Sequence, residues 1–146
     1  VLFIWSPFHE FLHKIALESL GREAIYVGSK LRPSVHCMDC TGNVTKLQIL
    51  NYAGLPYLID LLLSGFFLFR KESIILKWIS GLAYADILAN YIALVVYFFN
   101  NNIAHDFIIM AKVGFWYVPI IIFVIGTLIW VPYHINVLKK FFRINP

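Results

Sequence analysis

The residues His9-Glu10-Phe11-Leu12-His13 form an HExxH sequence within a run that reads as helix. At that spacing the two imidazoles lie one turn apart on one helix face, where they can share a divalent ion. Glu10, between them in sequence, is placed to take a proton from a water activated by that ion, so the chemistry is metal-assisted hydrolysis and the expected metal is Zn²⁺. The plainer reading is a pair of interfacial histidines reaching toward water. Against it, ionisable groups inside an apolar span cost about 2.5–3.5 kcal/mol each and are functional by default. Two histidines leave a catalytic zinc one protein ligand short. The candidates for the third are Asp60, Asp86, Asp106, His105 and His134. Depth along the apolar runs favours Asp86, near the middle of the third run with Asn90 one turn further on. Asp106 follows Asn100-Asn101-Asn102 and approaches the metal only if that stretch is re-entrant, which is allowed where backbone lines a buried, wet cavity.

Other chemistry-bearing residues read more simply. His36-Cys37-Met38-Asp39-Cys40 contains a CxxC, but with no second pair it is one ligand short of a structural zinc site, so two small thiols on a surface hairpin are expected. Asp60 faces either the same cavity as the histidines or a basic residue of a partner. Lys77 and Lys112 near the ends of apolar runs extend toward water, and Tyr133 and His134 read as interfacial residues.

The elements that must position these side chains follow from composition. Of 146 residues, 60% are hydrophobic, 17% aromatic and 14% charged, and the mean hydropathy is +0.76. A soluble domain is about 45–50% apolar and about 25% charged, so the pattern argues against both a water-soluble globule and a disordered chain. The net charge of +4 comes from basic residues at the ends of apolar runs (Arg70, Lys71, Lys139, Lys140, Arg143), not from a stripe among exposed aromatics, so no nucleic-acid partner is expected. With about 20 apolar residues needed per crossing, the sequence predicts an all-α, multi-pass integral membrane protein. It forms a single membrane domain over 1–146, with about four transmembrane helices near 1–20, 47–69, 74–99 and 107–138. The polar stretch 21–46 carries β-branched and turn residues and predicts a short surface β-hairpin after the first helix. The opening run lacks a basic leader and a small-residue cleavage site, so no signal peptide is expected. No internal repeat is present, which weakens a transporter reading, and the distribution of Lys and Arg weakly favours a cytoplasmic C-terminus.

Taken together, HExxH, then a hairpin, then a run opening with Ala53-Gly54-Leu55-Pro56, then a run with Asn90 leading through an Asn-rich break to Asp106, resembles the core of the site-2 protease-like intramembrane zinc metallopeptidases and the small membrane zincins related to them. The likeness spans about residues 1–112, with HExxH as its specific element. It implies His9, His13 and Asp106 as zinc ligands, Glu10 as the general base, and Asn90 or Asn100 as the family asparagine. One departure is that the family aspartate is usually set among prolines and glycines, whereas Asp106 is followed by Phe107-Ile108-Ile109. The expected function is hydrolysis of peptide bonds in membrane-embedded substrates, with membrane lipid, a transmembrane or membrane-proximal peptide and other membrane subunits as partners. The alternative from another class is a non-catalytic, metal-binding subunit of a larger membrane complex.

Overall fold

The computed structural model describes residues 2–29, 32–39, 44–66, 73–100 and 105–141. Within them the chain runs α1 (Leu2–Ser19), β1 (Ala24–Ser29), β2 (Arg32–Cys37), α2 (Lys46–Phe66), α3 (Ile74–Tyr97), α4 (Asp106–Lys112) and α5 (Tyr117–Phe141). The buried residues of α1 are Trp5, His9, Leu12, His13, Ala16 and Leu17, a single stripe at helical spacing that carries both histidines inward. The helix stops at Gly21, whose φ of 71° only glycine adopts without strain. There Arg22 N–H donates to the Leu17 carbonyl and Gly21 N–H to that of Glu18, satisfying acceptors that a helix end leaves open.

The expected hairpin is present. β1 and β2 pair antiparallel with Ile25 opposite His36 and Tyr26 opposite Val35. Leu17, Ala24 and Val35 form a small apolar cluster that fastens the hairpin to the end of α1. Cys37 is disulfide-bonded, which corrects the reading of that position as a free thiol, while Cys40 lies outside the described residues. Arg70, Lys71, Asn101, Asn102 and Arg143, and the side chains of Tyr133 and His134, also lie outside them.

α2 is the central element, packed on α1, α3, α4 and α5. Its buried positions Ala53, Pro56, Tyr57, Asp60 and Ser64 fall on one face. The main core joins Ala53 and Tyr57 of α2 to Ile87 and Leu94 of α3, Phe107, Ile108 and Met110 of α4, and Ile122 of α5.

The expectation of four membrane spans in a multi-pass protein is not upheld. Among the described residues one helix, Ile74–Tyr97, is long and apolar enough to cross a membrane, with 33% of its span buried inside the fold, and the apolar stretch Tyr117–Pro132 is shorter. The reasons lie in the sequence. α1 carries Glu10, Lys14 and Glu18 as well as two histidines, and α2 is diluted by Gln48, Asn51 and Asp60. The fourth apolar run is not one helix: Gly114, with φ of 100°, separates α4 from α5. That break leaves α4 as a short independent element whose first residue is Asp106.

Candidate metal centre

Four helices meet at His9, which belongs to α1 and touches Tyr57 of α2, Asp86 of α3 and Asp106 of α4. His9 and His13 of α1 bring their Nε2 atoms within 3.0 Å of each other, and Asp106 at the start of α4 places Oδ2 at 3.2 Å from His9 Nε2 and 3.1 Å from His13 Nε2. These three atoms make a nearly equilateral triangle. A four-coordinate ion with bonds of about 2.0–2.1 Å holds its ligands about 3.3 Å apart, so the triangle has the size that such an ion requires. His9, His13 and Asp106 can therefore hold a metal ion, and His9, Asp60 and Asp86 form a second group of potential ligands.

The tautomer of His13 is fixed by its far side. Its Nδ1 lies 2.9 Å from the backbone carbonyl of Tyr52, which only accepts, so Nδ1 carries the hydrogen and Nε2 turns a lone pair toward the triangle. His9 Nδ1 lies 2.6 Å from Asp86 Oδ2. Asp106 is steadied from α2, where the fully buried Tyr57 donates its hydroxyl to Oδ2 at 2.9 Å.

Acceptor atoms this close need a cation among them, and in the absence of metal a proton serves. Burial alone would pull the His9 imidazole down, but hydrogen bonds to Asp106 and Asp86 outweigh it and push His9 up to about 10. Burial acts to raise Asp106, and its close contacts with the His13 and His9 rings overcome it, holding Asp106 below the usual carboxylate range. The carboxyl of Asp60, 1% exposed, is pushed up to about 9 by burial first and then by the neighbouring Asp86 charge.

The triangle opens into a cavity of about 400 Å³ lined by Glu10, Ser34, Tyr52, Asp86, Asn90 and His105 in addition to the three atoms' own residues. Glu10 shares this space, and its Oε2 accepts the Val35 backbone N–H at 2.9 Å. Burial raises the Glu10 carboxyl, opposed by the electrostatic influence of the neighbouring His13 and His9 rings. Because Val35 N–H points to Glu10 and not to β1, the outer edge of β2 faces the cavity.

The residues singled out in the sequence are thus gathered selectively. His9, Glu10, His13 and Asp106 converge. Asp86 reaches the opposite side of the His9 ring from the triangle. Asn90 lines the cavity and donates to the Asp86 carbonyl at 3.2 Å, whereas Asn100 is exposed beyond the end of α3. His105 lies at the cavity wall, and Lys112 sits 5.0 Å over the Tyr97 ring. Sequence reasoning missed Tyr57 and the Tyr52 carbonyl. The only local hint was that both flank the Ala53-Gly54-Leu55-Pro56 element, since neither has a spacing tied to the histidines.

No protein-family model, no characterised protein and no solved structure shows significant similarity to this chain.

Proposed function

We propose that this protein is a zinc-dependent peptidase in which His9, His13 and Asp106 hold the metal and Glu10 is the general base. The observation that carries the reading is the triangle of Nε2, Nε2 and Oδ2 atoms with edges of 3.0, 3.1 and 3.2 Å on an HExxH helix. The donor set of two imidazoles and one carboxylate suits zinc, and it leaves a fourth position open for substrate or water. When bound, the zinc lowers the pKa of a coordinated water to about 7 and supplies a nucleophile at neutral pH.

The remaining roles belong to the chain. An extended peptide adds to the outer edge of β2 and takes the Val35 N–H that Glu10 holds. That exchange frees Glu10 Oε2 at the moment substrate arrives. Glu10 then accepts the proton given up during attack and returns it to the leaving amine. The raised pKa of its carboxyl brings it closer to the range in which such a transfer works in both directions.

A second reading, a metal-binding subunit without activity, is favoured by the same Glu10 contact, because a carboxylate tied to a strand can be structural. One experiment separates the two. The purified protein should retain about one equivalent of zinc and cleave unfolded polypeptide in a chelator-sensitive manner. Glu10→Gln should keep the metal and lose about 10² or more in kcat. Equal cleavage by Glu10→Gln removes the mechanism, no cleavage by zinc-loaded protein favours the subunit, and no zinc uptake removes both.

A further inference from the structure

The carboxylate of Asp86 stands apart from the ligand triangle yet touches it through one bond. Its Oδ2 lies 2.6 Å from His9 Nδ1, on the far side of the ring from the Nε2 that meets His13 and Asp106. This distance belongs to a hydrogen bond between a ring N–H and a carboxylate, and it is shorter than the spacing of about 3.3 Å between ligands of one ion. The other oxygen of Asp86 is 3.5 Å from the Asn90 amide, and that amide also donates to the Asp86 carbonyl one turn back along α3. Asp86 is therefore anchored on its own helix and aimed at α1.

We infer that Asp86 is the positioning residue of the centre: it accepts the Nδ1 hydrogen of His9, fixes that ring in the tautomer whose Nε2 carries a lone pair, and raises its basicity toward the metal. The inference rests on the metal site proposed above and gives Asp86 a role other than the third-ligand role that its depth in the sequence suggested. It also pairs Asp86 with the Tyr52 carbonyl, which does for His13 what Asp86 does for His9. Of these two outer partners only Asp86 is charged, so His9 is the stronger donor of the pair. The buried Asp60 lies on the same side as Asp86. A second cation among His9, Asp60 and Asp86 would require the Nδ1 hydrogen to leave, so the two arrangements exclude each other.

The test uses the full chain, with zinc titrated against a competing chelator for wild type, Asp86→Asn, Asp60→Asn and Asp106→Ala. Expected for wild type is one equivalent of zinc. Asp86→Asn should still bind one equivalent but about 10–100-fold more weakly, the range found when outer partners of metal-bound histidines are removed. Asp106→Ala should bind far more weakly than either. A readout independent of folding losses is the ¹⁵N-edited NMR resonance of the His9 Nδ1 hydrogen in wild type, which should be protected and should persist when zinc is added. Unchanged affinity in Asp86→Asn overturns the inference while leaving the zinc site standing. Loss of metal in Asp86→Asn equal to that in Asp106→Ala makes Asp86 a ligand and overturns it as well. Two equivalents in wild type, one of them lost in Asp60→Asn, or disappearance of the Nδ1 resonance on adding zinc, overturns it in favour of the second cation. Wild type that binds no zinc fails the parent reading instead.

Discussion

A proton and a metal compete for the same three atoms, and that competition sets the behaviour of His9. Its folded pKa is raised from 6.5 to about 10 because the hydrogen bonds to Asp106 and Asp86 outweigh the opposing effect of burial. A raised base stabilises the fold fully below its unfolded value and loses that contribution as pH climbs through the folded one. Metal-free protein should therefore become less stable between about pH 6.5 and pH 10. Zinc, which must displace this proton, should bind about tenfold more tightly for each pH unit gained from pH 7 to pH 9. Calorimetry in buffers of different ionisation enthalpy should report close to one proton released per zinc at pH 8. A proton count of zero there would mean that the triangle is already neutral and that its short contacts do not arise from shared acceptors. At this scale the sequence was informative where the chemistry is local. His9, Glu10 and His13 fall within five residues of one helix, and the i, i+4 spacing of the two histidines alone specifies their common face. The partners of the two rings were not legible, because Asp86, Tyr52 and Tyr57 lie tens of residues away and are brought in by packing.

Elements deliver these side chains through where helices end as much as where they run. The termination of α1 at Gly21 turns the chain into the hairpin whose β2 edge faces Glu10, and Gly21 has φ of 71° with nothing within 4 Å of where a Cβ would lie. Gly65, near the end of α2, also has open space around that position but is helical. The same substitution should then act in opposite directions. Gly21→Ala should cost about 1 kcal/mol by forcing a side chain into the left-handed region, and Gly65→Ala should add about 0.5–1 kcal/mol through helix propensity. Denaturant midpoints of the two variants check this, and a stabilising Gly21→Ala would mean that α1 ends by some other device. The hairpin could be read in advance because it depends on near neighbours in sequence. The division of the last apolar run into α4 and α5 mattered more for function and was only half visible. The run contains Lys112 and Gly114, residues suited to an interruption, but nothing local says that a seven-residue helix before them carries Asp106 to the histidines.

For the whole molecule, composition proved a poor guide to how many helices could cross a membrane, since it counts apolar residues without weighing the polar ones placed among them. The same residues nevertheless leave an uncommon surface. Large apolar side chains are exposed along several helices: Leu58 and Leu62 on α2, Ile74, Ile75 and Trp78 at the start of α3, Phe98 and Phe99 just past its end, and Leu128 on α5. Phe99 is 87% exposed and Phe98 76%, values that single surface residues reach but that adjacent aromatics on a water-facing monomer rarely share. At about 25 cal/mol per Å² of apolar area removed from water, covering even a few of these side chains is worth several kcal/mol, enough to hold the chain on an apolar partner. The exposed apolar side chains are distributed over α2, α3 and α5 and are not confined to one helix, so a neutral lipid surface is the expected partner. The purified chain should float with neutral phosphatidylcholine vesicles in a density gradient and remain with them in 1 M salt, since apolar contact is not screened as charge is. Phe98→Ser with Phe99→Ser should reduce the bound fraction while leaving zinc content unchanged, because neither residue lines the metal cavity. Vesicle association that disappears in high salt would assign the attraction to the basic residues instead, and a monodisperse chain at tens of micromolar without lipid or detergent would refute an apolar partner altogether.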